Sequence, residues 1–476
     1  MTSSNDARRL TLDSTWLTEA ADALRSANLE FARRHPGDPP GRQPVHTVYG
    51  GAQLYSVDTP AKIGAVARAA LAEYAATAEV FGAAVGIAHH ESLHTIFDRV
   101  QEKLTREPVE DFRVDFEDGY GNRPDADEDG HAVAVGVALA QGMTQHTLPP
   151  FIGIRVKTLN EELRGRSVRT LDLVVSTLVR RAGALPERFL ITIPKVVIAE
   201  QVRYTVTVLR KLERSLGLPD GALRFEVMVE TPQIILDHTG RSLLPQLVEL
   251  CEGRLTGAHF GTYDYTASLN ITAAHQRMRH PANDFAKHVM QTSLAGTGVW
   301  LSDGSTGILP VPMHRATAGV ALSQAQRDEN RDTVHRAWKM HFDDVRHSLV
   351  GGFYQGWDLH PAQLVTRYGA LYSFFLEGID AAGARLRNFV DKAAQATLVG
   401  NVFDDAATGQ GLLNFFLRGI NSGAITEAEA LRLTGLTAED FQARSFVRIM
   451  HARTGHGGTA AASTSPSVST SSATPR

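Results

Sequence analysis

Five short apolar runs, each closed by a charged residue and recurring at nearly constant spacing, restrict this chain to few folds. They read FRVDFED (112–118), FIGIRV (151–156), FLITIPK (189–195), RFEVMVE (224–230) and LTGAHFGTYDY (255–265). Counted from Glu117, the charged marks fall at Arg155, Lys195, Glu230 and Asp264, separated by 38, 40, 35 and 34 residues. Runs this short and rich in Val, Ile and Phe are strand patterns, and the stretches between several of them are helix patterns. In 196–217, for example, Ile198, Val202, Val206, Leu209, Leu212 and Leu216 recur at three- and four-residue spacing, and Gly217 supplies a stop. Strand and helix in alternation imply parallel strands joined by right-handed crossovers. About eight such units fit residues 45–365, with HTVYGG (46–51) as an early strand and GVWLSD (298–303) and VGGFYQGW (350–357) as late ones. An open doubly wound sheet is the competing arrangement. No glycine-rich dinucleotide fingerprint opens any of the helices, so the barrel is favoured.

The expected architecture is therefore α/β, a (β/α)8 TIM barrel over 45–365. Before it come an N-terminal helix and a Pro/Gly-rich linker (1–44), including HPGDPPGRQP at 35–44. After it, 366–456 has helical patterns, with YGALYSFFLEGI (368–379) strongly apolar, and is expected to form a C-terminal helical domain. Residues 457–476 are Ser, Thr, Ala, Gly and Pro with almost no large apolar side chain, a composition expected to be disordered. The 476 residues carry a net charge of −4, so no global basic field points to nucleic acid or an anionic membrane as a partner. One cysteine, Cys251, excludes an intrachain disulfide and suits a reducing compartment. Neither a signal pattern nor an apolar run of roughly 20 residues is present. A cytoplasmic location is expected.

In a (β/α) barrel the carboxyl ends of the strands converge on one face. Asp115, Glu117, Asp118, Arg155, Lys195, Glu230 and Asp264 would then share one rim. Charges there must be paired, hydrated or metal-bound, because an isolated buried charge is too costly. A rim of salt bridges is the plain alternative, and Lys195 is expected to pair with a rim carboxylate. A functional rim would suit Mg²⁺, which takes few protein carboxylates and keeps water or substrate oxygens in its other positions. His90-Glu91-Ser92-Leu93-His94 also matches the His-Glu-x-x-His string of zinc proteases, but no third ligand is evident.

VDFEDGYG (114–121), GIRV (153–156), IPK (193–195), VMVETPQ (227–233), HFGTYDYTASLN (259–270) and YQGWDLHPAQ (354–363) together resemble the motif series of malate synthase and of the citrate lyase β-subunit and malyl-CoA lyase enzymes. These form part of the HpcH/HpaI aldolase–citrate lyase superfamily, with its pyruvate-type barrel. The resemblance covers about residues 110–365. It implies that Glu230 and Asp264 ligate Mg²⁺ (or Mn²⁺), and that Glu117 holds metal-bound water. Arg155 would contact the 2-oxo acid or the oxygen on which enolate charge develops, with the backbone at Gly261 and Thr262 beside the substrate carboxylate. A metal chelated by carboxylate and ketone oxygens acts as a Lewis acid, and a fixed guanidinium stabilises the developing charge.

NVFDDAATGQGLLNFFLRGINSGAIT (401–426) resembles the C-terminal segment of malate synthases, in which the second acid of the pair removes a proton from the acetyl methyl group. That position is Asp405 here, and a helix cap is its structural alternative. Two departures stand against a malate synthase: the large β-rich N-terminal insertions are missing, and GSTGILPVPMHR (304–315) replaces the usual glycine- and methionine-rich segment near the acyl-CoA path. The leading expectation is thus a Mg²⁺-dependent carbon–carbon lyase or aldolase acting on a small 2-oxo or 2-hydroxy acid, or its CoA thioester, through an enolate. Malate-synthase-type condensation of acetyl-CoA with glyoxylate is the alternative, and a non-catalytic metabolite-binding barrel the second. A small 2-oxo acid is the expected partner, with an acyl-CoA and a homo-oligomer left open.

Overall fold

A computed structural model describes residues 11–12, 14–316, 321–391 and 406–453. The described chain falls into two compact units, Met1–Glu377 and Gly378–Arg476. The first is a closed barrel of eight parallel strands in sequence order. These are β1 His46–Gly51, β2 Asp111–Asp115, β3 Phe151–Arg155, β4 Phe189–Ile193, β5 Arg224–Val229, β6 Leu255–Phe260, β7 Trp300–Ser305 and β8 Gln355–Asp358. The eight expected strands are all present, and β8 closes on β1 through His46↔Gly356 and Val48↔Asp358. The fold is the TIM barrel that the repeat implies, with helices at both ends of the chain.

The helices form where the periodicity places them. Ala199–Leu216 buries Val202, Val206, Leu209 and Leu212 on the barrel side, and Gly217 ends it at a φ of 69°, a left-handed conformation that glycine adopts without a Cβ clash. Arg164–Ala182 likewise buries Leu171, Val174, Val175 and Leu178. The apolar stretch around 368–376 forms the helix Gln363–Leu376, nearly all of it buried, and belongs to the barrel unit. A helix apolar on every side must be surrounded.

Alternate strand residues point inward, and the barrel's interior is polar where a (β/α)8 core is usually filled by branched aliphatics. Arg113 on β2, fully buried, donates from Nε and Nη2 to Glu226 on β5 at 3.0 Å each, and its Nη1 pairs with Asp111. Thr192 on β4 donates to Glu226 at 2.5 Å, and His259 on β6 lies 2.9 Å from the other carboxylate oxygen. Asp111 also accepts from Thr47 on β1, which accepts from Gln355 on β8. Arg113, Asp111 and Glu226 each meet a counter-charge and a further hydrogen bond, the condition under which buried ions are tolerated.

The second unit is helical: Ile379–Asp391, Ala406–Asn421, Glu427–Thr434, Ala438–Ala443 and Phe446–Arg453. Leu386, Val390, Leu413, Phe416, Phe441, Phe446 and Ile449 form its core, with Phe389 edge-on to Phe446 at 4.8 Å. Residues 457–476, expected to be disordered, lie outside the described residues. Among the described residues no helix is long and apolar enough to cross a membrane.

Candidate active site

The carboxyl ends of β2 to β6 bring Asp115, Glu117, Asp118, Arg155, Lys195, Glu230 and Asp264 to one end of the barrel. Arg155 closes β3 and is held on three sides. Its Nε and Nη2 donate to the two oxygens of Asp115 at 2.7 and 2.6 Å, a bidentate pair, and Nη1 lies 3.2 Å from Glu117 Oε2. The guanidinium sits 4.8 Å from the Tyr49 ring centroid and 5.7 Å from that of Trp357, and the two rings lie 4.5 Å apart. Burial works against the charge of Arg155, but the Asp115 carboxylate more than offsets it, and the group stays ionised. Asp115 is fixed in turn by the backbone N–H groups of Glu117 (3.0 Å) and Gly119 (2.7 Å).

Lys195 follows β4 with a φ of 51°, uncommon for a side chain other than glycine or asparagine. The turn aims its backbone N–H at Glu230 Oε1, 2.8 Å away. Its ammonium pairs with Glu117 and lies 3.2 Å from Asp118 and 3.5 Å from Asp264. Burial would lower its pKa, but Glu230 and Glu117 hold it above the ordinary lysine value. Lys195 therefore ties the rim carboxylates together, as its expected pairing requires.

Glu230, one residue past β5, is 1 % exposed, and its Oε2 has no hydrogen-bond partner. Burial raises its pKa to about 8, with the Asp264 carboxylate adding to the effect and Lys195 and Arg155 opposing it. Glu117 is raised to about 7, again chiefly by burial, against the pull of Arg155 and Lys195. Gly261, just past β6, makes room beside Glu230: a Cβ there would come within 2.5 Å of Glu230 Oε2. Its own N–H is taken by Val229 O at 3.0 Å. Thr262 opens the short helix Thr262–Ser268 that carries Asp264, and its buried hydroxyl lies 3.3 Å from Met278 Sδ.

Five carboxylates thus surround two cations, Arg155 and Lys195, and the buried Glu230 keeps an oxygen unpaired. Among the described residues, no group of three or more His, Cys, Asp or Glu side chains forms a metal-ligand set. Glu230 and Asp264 remain as a hard-oxygen pair that fits a divalent cation completed by water or substrate oxygens, the donor set Mg²⁺ favours.

Asp405 lies outside the described residues. The His-Glu-x-x-His string does not form a zinc site. The helix there begins only at Leu93, His90 Nδ1 accepts the backbone N–H of Ser92, and His94 lies 3.5 Å from Glu79. Sequence reading missed Tyr49 and Trp357 as the flanks of Arg155. Both occupy inward positions near strand ends, Tyr49 on β1 and Trp357 on β8, and that parity was the available signal.

Comparison with solved structures returns the same barrel. A citrate lyase from Burkholderia xenovorans LB400 is 17% identical with a TM-score of 0.54, the match covering 83% of this chain and 98% of that one. A malate synthase from Haloferax volcanii, solved as a magnesium/glyoxylate complex, is 14% identical with a TM-score of 0.43, covering 81% and 88%. At 17% identity the likeness to the citrate lyase establishes fold alone. No curated protein matches the sequence. A family model does match, over residues 24–449, and the chain belongs to that family, DUF6986, described as a domain of unknown function.

Proposed function

We propose that this protein is a divalent-metal-dependent carbon–carbon lyase or aldolase acting on a small 2-oxo or 2-hydroxy acid, or its CoA thioester, within the wider HpcH/HpaI aldolase–citrate lyase group. The observation that carries the reading is Glu230: a buried carboxylate with an unpaired oxygen, beside Asp264 and across from a rigid Arg155. Leaving such a group unpaired costs about 1–3 kcal/mol, and a charged one more, so a cation that satisfies it is the economical explanation.

Glu230 and Asp264 would hold Mg²⁺ or Mn²⁺, which when bound supplies Lewis-acid polarisation of a carbonyl. Arg155 is held by Asp115 and against the paired rings of Tyr49 and Trp357, so it needs no reorganisation to meet negative charge developing on the substrate oxygen. Its planar fork suits a carboxylate or enolate better than an ammonium would. Glu117, tied to both Arg155 and Lys195, is the proposed holder of water at the rim. The backbone at Gly261 and Thr262 is the proposed seat of the substrate carboxylate.

Condensation of acetyl-CoA with glyoxylate is the second reading, favoured by the Asp-Asp-Ala-Ala-Thr pattern at 404–408 with Asp405 as the base. The divergent 304–315 segment places cleavage first. The test is turnover of oxaloacetate, pyruvate, glyoxylate and 2-hydroxyacyl-CoA thioesters, with Mg²⁺, Mn²⁺ or chelator, and with or without acetyl-CoA. Metal-dependent cleavage is expected. If wild type and Glu230→Gln are equally inactive on the whole panel while both still bind a 2-oxo acid, the barrel is a metabolite-binding module and the enzymatic reading fails. Asp405→Asn with unchanged turnover would leave that residue a helix cap.

A further inference from the structure

Every residue from Thr15 to Arg34 of the N-terminal helix Ser14–Arg34 is exposed. Such a helix, about 32 Å long, buries none of these residues against the barrel, and an isolated helix of this length is marginal in water. Its composition does not suit solvent on all sides. Leu17, Leu24 and Phe31 are 36, 61 and 63% exposed, and they recur at intervals of seven. Ala20 and Ala27 fall three residues after the first two, which completes a heptad with both seam positions apolar. Ala21 and Ala23 flank the seam, so a second backbone can approach closely.

We infer that this helix pairs with the same helix of a second copy of the chain, antiparallel, through Leu17, Ala20, Leu24, Ala27 and Phe31. Two features select the occupant and its direction. A seam set at intervals of seven about Leu24 is self-complementary under a two-fold axis: Leu24 meets Leu24, and Leu17 meets Phe31. Charge then fixes the orientation. The first half carries Glu19 and Asp22, whereas the second carries Arg25 and Arg33 against Glu30, with Arg34 taken up by Glu249. Antiparallel pairing sets the acidic half against the basic half and opposes the helix dipoles, while parallel pairing sets like on like. At its carboxyl end the helix is anchored to its own barrel by Arg34, 2.9 Å from Glu249, and by Gly37 N–H donating to Gly296 O at 2.8 Å. Leu17, Ala20, Leu24 and Ala27 stay exposed toward a neighbour.

Sedimentation equilibrium of the full chain between about 1 and 100 µM, ion strength held constant, tests the pairing. Wild type is expected to associate in multiples of two, and Leu17→Glu/Leu24→Glu to fall to half that mass with an unchanged circular-dichroism melt of the barrel. A short bismaleimide then reads direction, since Cys251 is buried and does not compete. Leu24→Cys should cross-link to itself, Leu17→Cys should not, and Leu17→Cys mixed with Phe31→Cys should. A wild type that is monomeric throughout overturns the inference and assigns the apolar face to another part of the same chain or to a different partner. An assembly that the double glutamate variant leaves intact overturns it in favour of another interface. Self-linking of Leu17→Cys as efficient as that of Leu24→Cys overturns the antiparallel arrangement.

Discussion

Glu230 splits its two oxygens between different fates: Oε1 accepts the Lys195 amide, and Oε2 is buried without a partner. Such an arrangement weakens the free protein and favours whatever cation completes it. Glu230→Gln keeps the accepting oxygen and the shape while removing the charge. The variant should therefore melt higher than wild type in chelator, by about 1–2 kcal/mol of stability, because an uncompensated buried acid is relieved. Wild type should gain stability on addition of Mg²⁺, whereas the variant should not respond, and its turnover should drop roughly 10²–10³-fold. A variant that melts lower than wild type in chelator would mean that the Glu230 carboxylate is already satisfied. Arg155→Lys tests the other side of the site. An ammonium cannot make the bidentate pair with Asp115 or reproduce the planar group's contact with the Tyr49 and Trp357 rings, so kcat should fall roughly 10²-fold or more while the fold survives. Unchanged kcat would show that only the charge at position 155 matters.

At the scale of elements, β5 and β6 hold the site together through a single missing side chain. Gly261 lies against Glu230 so closely that a methyl group there meets both its Cβ and Oε2 at 2.5 Å, which a rigid strand end cannot absorb. Gly261→Ala should cost about 1–3 kcal/mol in urea unfolding and weaken Mg²⁺ binding even though both carboxylates remain. Loss of stability with unaltered metal affinity would separate Glu230 from the metal. These strands were legible in the sequence because short apolar runs ending in a charge recur once per strand–helix unit, and the rim residues Glu117, Arg155, Lys195, Glu230 and Asp264 were legible for the same reason. What the pattern hid was pairing across the barrel. Arg113 and Glu226 are 113 positions apart, and as single charges inside apolar runs they gave no hint that they meet in the interior. Tyr49 and Trp357, which flank Arg155, come together only because β8 closes on β1. Parity along a strand shows which side chains face inward, whereas the register that brings two of them into contact depends on closure and twist.

For the barrel as a whole, closure depends on one buried seam where β1, β8 and the helices Gln324–Val350 and Gln363–Leu376 meet. Asp358 at the end of β8 accepts from Arg367 Nη2 at 2.9 Å, lies 3.0 Å from His341 Nε2 and 3.3 Å from His46 Nδ1, and all four side chains are buried. His46 Nε2 accepts the backbone N–H of Glu110 at 3.0 Å, so this ring is neutral with its proton on Nδ1. Burial lowers its pKa to about 4, outweighing the carboxylates of Asp358 and Glu110, and burial lowers His341 in the same direction. Between the unfolded value of about 6.5 and the folded value, the unfolded chain binds more protons than the native one, so stability rises with pH through that window. Acidification from pH 6.5 to 4 should accordingly remove up to about 3 kcal/mol through His46 alone. Asp358 and Glu110, both held below the ordinary carboxylate range, stay charged in the folded chain while their unfolded forms take up protons at about pH 4 to 5, so they add a slope of the same sign at the acid end of that window. Urea midpoints measured at pH 7, 5.5 and 4.5 should fall steadily for wild type. His46→Gln can still accept the Glu110 N–H and donate toward Asp358 but cannot titrate; it should start less stable at pH 7 and lose less on acidification. If both proteins lose stability in parallel, the acid sensitivity does not come from His46, and protonation of that ring is not what opens the closure of β8 on β1.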